Sequence, residues 1–457
     1  MVSRIRPRYV SQKANTPIIL GTAPVEITAG NARLIGDGTA YLQLVPRDRV
    51  IVKARFREFS GPLPLGLEPL TMRFGEKGRP TRVLSVQTSS SNNNMEMDLL
   101  STQGPFALCR DRRVRLREII FHVLNFPDFL SIGEGSTDFN YQSNGVGRRL
   151  GRVLLSSGDW LVEIQALPNT AASIKQLKSE GGSAITHVGQ VSRTDGRSFT
   201  ILAAERAVND LHRFLSFARG LHTAIFGVVG ISASGGVAYE DWGTRLSTPW
   251  ESPLGWFDIH HGQMLAQVYP GFVSLLHDSQ MQSAVGRAVY WYLRSNRAGG
   301  GAGVDSGLLL SQAALERLAV AHLSKAGRAI PRRATDCIRE ALRDLRLPIA
   351  ISRLTPRLLA GRRRRVWNDG PHAIAVIRNE LVHGRDRLSI PLGPVISEAW
   401  QLAQWYVELL ILRLAGYGGT YSNRLNPGWI GTVESVPWVR AKSRGTRSGS
   451  HTGTAKS

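Results

Sequence analysis

Near residue 263 the hydrophobic periodicity of this chain becomes helical and stays so, and that change limits the folds open to it. Upstream, short alternating or β-branched runs at residues 40–45, 49–57, 81–86 and 114–123 read as strands. Gly36-Asp37-Gly38 and Gly61-Pro62-Leu63-Pro64 read as turns between strands, and residues 88–94, rich in serine and asparagine, as a polar loop. Residues 160–166, 198–202, 225–229 and 236–242 continue the strand pattern, interrupted by helical spacing over 205–218 that Gly220 closes.

Downstream, apolar residues recur every three or four positions. Helices are expected over 263–276 (kinked or broken at Pro270-Gly271), 280–294, 307–324, 334–345, 353–359, 369–384 and 397–414. The last carries Trp400, Trp405 and Tyr406, an aromatic surface suited to core or dimer contact. Residues 416–429 read as a loop and 431–439 as a closing strand or arm. The expected class is α+β and multidomain. A β-rich sandwich or barrel-like region covers 1–150, and a mixed α+β module or continuation of the first covers 151–262. An all-α helical bundle covers 263–440, and a disordered basic tail covers 441–457.

Charge narrows the partners. The chain has 57 Lys and Arg against 35 Asp and Glu, a net +22, which suits an anionic partner such as nucleic acid or an anionic surface. Over residues 305–457 the count is 24 against 11, so the surplus is concentrated in the helical part. Cys109 and Cys337 are the two cysteines, which implies neither a disulfide framework nor a thiolate zinc site and fits a reducing cytoplasm. No secretory signal is visible after the basic first residues, and the uncharged stretch 221–239 is broken by His222 and glycines, so no membrane span is expected. Asp258 with His260-His261 lacks a third ligand at useful spacing, and Gly299–Gly303 lacks the Lys and Ser/Thr of a phosphate loop and reads as a flexible connection. No metal and no cofactor is implied.

The most informative stretch is 369–384. Asp369 can cap a helix, Pro371 suits its first turn, and Gly384 supplies the left-handed residue that ends it. Ile374, Ile377, Leu381 and Val382 form an apolar stripe, with Arg378 inside it and Asn379 and His383 stacked on its edge. In an ordinary helix, Arg378 would snorkel or pair with a carboxylate and His383 would cap the last carbonyls. A guanidinium, an amide and an imidazole on one flank can also act on a phosphodiester, binding its oxygens and moving a proton. Glu316 shares the face of Leu309, Ala313 and Val320, so it is expected to be buried and to pair with Arg378; an ordinary edge glutamate is the alternative. Arg362, Arg363, Arg364 and Arg365 precede the helix and Arg385 follows it, either as solvated charge or as a grip on an RNA backbone.

Arg378-Asn379, three residues, then His383 resembles the signature of HEPN domains. The surrounding order, a buried helix reading Leu-Leu-Leu-Ser-Gln-Ala-Ala-Leu-Glu-Arg-Leu, the motif helix and a long aromatic last helix, is similar to the C-terminal region of ApeA-like bacterial defence proteins over about residues 263–440. The resemblance implies a metal-independent endoribonuclease acting in antiphage or abortive-infection defence. Arg378, Asn379 and His383 would be catalytic, Glu316 would support them, and Arg362–Arg365 with Arg385 would bind RNA. It further implies a homodimer that brings two imidazoles to one cleft, and an N-terminal region acting as sensor or regulator for an unknown trigger. The competing expectations are a non-catalytic HEPN-like module that dimerises or binds nucleotide or RNA, and an adaptor to an anionic surface.

Overall fold

The computed structural model describes residues 5–60, 70–91, 94–102, 104, 106–108, 113–130, 139–143, 146–297, 303–384 and 391–439. Strands β1 (Ile18–Ala29), β2 (Ala32–Gln43), β3 (Arg49–Ser60), β4 (Leu70–Phe74), β5 (Thr81–Ser91) and β6 (Asn94–Ser101) come first. They close an antiparallel barrel in the order β1-β2-β3-β6-β5-β4, with β4 returning to β1. Alternating side chains fill it, among them Val25, Ile27, Leu34, Val52, Phe56, Met72 and Leu99. Gly36-Asp37-Gly38 is not a turn but lies inside β2, where the register with β3 shifts at Ile35/Gly36. A Cβ on Gly36 would sit 2.0 Å from the Arg55 carbonyl oxygen, so the glycine lets the two strands close at the bulge. Residues 88–91, expected as loop, extend β5 in register with β6, because backbone pairing satisfies a serine-rich strand as well as an apolar one.

The next strands are β7 (Ala107–Leu108), β8 (Arg115–Leu124), β9 (Phe139–Ser143), β10 (Val146–Leu150), β11 (Arg152–Ser157) and β12 (Trp160–Ala166). Helix α1 (Thr170–Glu180), β13 (Ile185–Arg193), β14 (Phe199–Thr200), α2 (Ile201–Arg219), β15 (Ile225–Ser232) and β16 (Val237–Thr244) follow. β9 and β10 form a hairpin of their own, and the rest make an eight-stranded sheet in the order β11-β12-β13-β8-β15-β16-β7, with β14 paired to β8. The sheet thus draws β8 from before residue 150 and its neighbours β13 and β15 from after it. Residues 198–202 are only briefly extended: Thr200 accepts from the Ala203 N–H and starts α2, whose apolar face then wins the segment for helix. One face of the sheet packs on the barrel through Val188, Phe226 and Trp242, the other on α2 and the helices beyond through Phe121, Val123 and Val191.

The helical part comprises α3 (Gln263–His277), α4 (Gln282–Asn296), α5 (Gly303–Lys325), α6 (Ala334–Asp344), α7 (Pro356–Arg363), α8 (Gly370–His383) and α9 (Leu392–Leu414). The short pair β17 (Thr420–Tyr421) and β18 (Glu434–Ser435) closes it. Helix α5 touches α4, α6, α8 and α9 and is the hub of the bundle. Helix α3 runs through Pro270-Gly271 without a break, and at Gly271 its backbone meets the carbonyl of Ala415 after α9. Trp405 and Tyr406 are buried core, and Trp400 is half-buried with its indole N–H on Ser295. The chain is therefore α+β, β-rich in its N-terminal region and helical in its C-terminal part. Among the described residues no helix is long and apolar enough to cross a membrane. The expected Gly-rich connection, apart from Gly303 at the start of α5, and the basic tail over 441–457 lie outside the described residues.

Candidate functional site

Helix α8 has the two ends its sequence announces. Asp369 accepts the His372 N–H at 2.9 Å, Pro371 stands in the first turn, and Gly384 closes the helix at φ 53°. Asp369 has a second task. Its carboxylate receives Arg339 of α6, Nε to Oδ2 at 2.5 Å and an Nη2 contact at 3.3 Å, which fixes α6 against the start of α8. Gly370 lets the buried Tyr406 of α9 press on the same turn, since a Cβ there would stand 2.3 Å from its hydroxyl.

Between α5, the start of α6 and α8 lies a cleft of about 360 Å3. Arg378 and Asn379 of α8 line it, with Gln312 and Glu316 of α5 and Arg333 at the start of α6. Arg378 is half-buried and donates from Nη1 to Asn379 Oδ1 at 3.1 Å, so the pair is held as one unit. Gln312 is 7% exposed, and its Oε1 has no hydrogen-bond partner. A buried acceptor left unsatisfied is unfavourable, so a donor that reaches Oε1 through a shift of the Gln312 side chain is stabilised there. The first turn of α6 carries no side-chain cap, and Arg333, Ala334 and Thr335 form that wall. A helix start without a side-chain cap, with Arg333 and Arg378 nearby, favours an anion, against the opposing carboxylates of Glu316 in the wall and Asp336 in the first turn.

Two sequence expectations are corrected here. Glu316 is exposed rather than buried, and among the described residues no ion pair joins it to Arg378. Both line the cleft, but α5 turns Leu315, Leu318 and Ala319 to the core and leaves Glu316 and Arg317 on the rim. Val382 is 46% exposed, so the apolar stripe ends a turn early, at Ile374 and Ile377 with Leu381 half-buried. His383 stands exposed in the last turn of α8 and does not line the cleft. Arg362 and Arg363 end α7, and Arg364 and Arg365 continue into the connection to α8, all four exposed. Arg385 lies outside the described residues.

Cys337 is buried, and burial, with the Glu316 carboxylate adding to it, pushes its thiol up to about 11, which disfavours the thiolate. Sequence reasoning missed Gln312 and Arg333. The one signal for Arg333 was its place, with Arg332, directly before the start of α6. Asp258 accepts the N–H groups of His260 and Gly431, both at 2.8 Å, and His261 faces the Gly431 carbonyl, so this trio ties down the C-terminal arm. Among the described residues no three metal-ligating side chains gather.

Two stretches of the chain match described protein families. Residues 111–253 match the YopA central domain, and residues 278–435, which include every wall of the cleft, match the YopA C-terminal domain. Among curated proteins, the chain is similar to the SPbeta prophage-derived uncharacterized protein YopA of Bacillus subtilis (strain 168). The two are 28% identical over 309 residues, 65% of this chain and 69% of that protein. No solved structure matches.

Proposed function

We propose that the helical part is a HEPN-like module that binds RNA in the α5–α6–α8 cleft and cleaves it without a metal. The observation that carries this reading is the cleft itself. A guanidinium and an amide joined at 3.1 Å share the cleft with an uncapped helix start and with Gln312, whose buried oxygen lacks a donor. A nucleotide offers both complements, a phosphate for Arg378 and Arg333 and a ribose hydroxyl or base N–H for Gln312.

In this reading Arg378 holds the scissile phosphate and offsets the charge gained as the adjacent 2′-hydroxyl oxygen attacks phosphorus. Asn379 orients that guanidinium. The 2′-hydroxyl proton leaves to a base, the bond to the 5′-oxygen breaks, and that oxygen takes a proton from an acid, giving a 2′,3′-cyclic phosphate and a 5′-hydroxyl. One imidazole cannot occupy both positions at once, so His383 from each of two symmetry-related copies would serve. Arg362–Arg365 and Arg385 would hold the flanking backbone, and the barrel and sheet would restrain the activity until a trigger arrives. Cytoplasmic defence against phage fits such a restrained nuclease.

His383 standing outside the cleft favours a second reading, a module that binds RNA or nucleotide, or dimerises, without turnover. Purified full-length protein incubated with total RNA in EDTA separates the two. The nuclease predicts cyclic-phosphate fragments that disappear in His383→Ala, while RNA binding and the circular dichroism spectrum persist. Equal cleavage by wild type and His383→Ala, or RNA left intact by the wild-type protein both alone and in lysate of phage-infected cells, defeats the nuclease. Binding that Arg378→Ala removes would then leave the second reading standing.

A further inference from the structure

A second cavity, of about 480 Å3, shares no wall with the cleft and lies among α1, the end of α2, the segment 250–259 and Ile430 of the C-terminal arm. Its size falls within the range of small-molecule sites, roughly 300–1,000 Å3. Ile174, Trp250 and Phe257 make its body apolar. Arg219 is 5% exposed on its wall. It donates to the carbonyls of His222 at 3.0 Å, Thr248 at 3.2 Å and Pro249 at 3.1 Å, but its buried Nε–H has no partner.

The cavity's charges are unevenly committed. Glu251 pairs with Arg297 at 3.1 Å, Asp258 holds two backbone N–H groups at 2.8 Å, and Asp128 is also engaged. Lys175 and Lys178, one turn apart on α1, are exposed and form no ion pair among the described residues. The lining charges not engaged by a partner are therefore cationic: two exposed ammonium groups and one guanidinium N–H in the wall. Burial lowers the Arg219 pKa to about 9, as expected of a guanidinium without a carboxylate bonded to it.

We propose that this cavity binds an amphipathic organic anion, its apolar body between Ile174, Trp250 and Phe257 and its carboxylate or phosphate facing Lys175, Lys178 and the Arg219 Nε–H. The site stands on these residues alone and is independent of the RNA reading. Because its walls come from α1, α2 and the C-terminal arm, an occupant ties the arm to those helices and stabilises the fold.

Isothermal titration of the full-length protein with 2-naphthoate, 2-naphthyl phosphate and decanoate tests this, with 2-naphthylmethanol as the neutral analogue. At least one anion is expected to bind saturably at one per chain, at least tenfold tighter than the neutral compound, and to raise the melting temperature. The arms distinguish a planar from an acyl body and a carboxylate from a phosphate. The surface double variant Lys175→Glu/Lys178→Glu is expected to weaken binding at least tenfold with its fold unchanged, and Ala171→Trp to abolish it by filling the cavity. No saturable binding of any of the three anions at millimolar concentration overturns the proposal. So does equal affinity for 2-naphthylmethanol, or anion binding that both variants leave intact.

Discussion

Arg424, beyond the last helix, reaches back into the bundle and meets Glu408 of α9 at 2.7 Å, both side chains fully buried. Tyr292 of α4 donates to the same carboxylate at 2.7 Å, and Arg424 also reaches Asn296, Gln401 and the carbonyl of Leu254. One ion pair thus joins α4, α9, the segment before α3 and the C-terminal arm. Removing one partner strands the other charge in a dry core, which costs about 3–5 kcal/mol. Glu408→Ala or Arg424→Ala is expected to lower stability by that amount in urea denaturation, with Glu408→Leu/Arg424→Met losing much less than the sum. Additive losses in the double variant would show that the two side chains are not coupled.

That pair also shows where sequence reading stops. Helix α5 and helix α9 each carry a glutamate within an apolar run, Glu316 and Glu408, and spacing alone made Glu316 the buried one. The partner decides. Arg424 lies in a loop whose path no local periodicity reveals, so Glu408 is neutralised inside while Glu316 stays on the rim. Signals local to one element were legible: Asp369 and Gly384 at the ends of α8, Gly220 closing α2, and the strand at 160–166. The barrel closure between β1 and β4, and the placing of Arg333 and Arg378 on one cleft, depend on contacts between distant segments and were not. Gly36-Asp37-Gly38 misled because glycine serves both turns and strand bulges.

Gly271 tests the packing of α3 on the end of α9. A Cβ there would come within 1.9 Å of the Ala415 carbonyl oxygen, and neither backbone can yield without moving its helix. Gly271→Ala gains about 1 kcal/mol of helix propensity and loses more to overpacking. The net expectation is destabilisation by about 2 kcal/mol, read as a lower melting temperature. A more stable variant would mean that the two helices do not pack this closely.

Acid should weaken the fold through its buried histidines. His122 accepts from the N–H groups of Arg8 and Tyr9, pinning the N-terminal segment, and burial lowers its pKa to about 4; burial alone lowers that of His187 to about 3. Both are neutral in the fold and titrate near 6.5 in the unfolded chain. Their contribution is complete above about pH 6.5 and falls by about 1.4 kcal/mol per pH unit for each as pH drops toward 4, where the unfolded chain binds the proton first. Urea denaturation from pH 7 to pH 4 should show this slope. His187 stacks flat on Phe129, with ring centres 5.5 Å apart, so His187→Phe can keep the packing and should flatten the slope by one histidine's share. An unchanged slope in that variant would place the acid sensitivity elsewhere.

Gln312 sets stability against binding in the cleft. Its buried oxygen has no partner, so the protein holds an unfavourable group at the spot where a ligand donor would satisfy it. Gln312→Leu keeps the approximate shape and removes the orphan. The variant is expected to be about 1 kcal/mol more stable than wild type, since burying a polar group without a hydrogen bond costs about 1–3 kcal/mol, part of which repacking returns. On the RNA reading proposed above, the same change should weaken RNA binding several-fold, because the bound nucleotide loses an acceptor. Gel-shift titration beside thermal denaturation reads both quantities on one preparation. A variant that gains stability and keeps full RNA affinity would show that nothing bound in the cleft uses Gln312, and one that loses stability would show that the oxygen is already satisfied in the free protein.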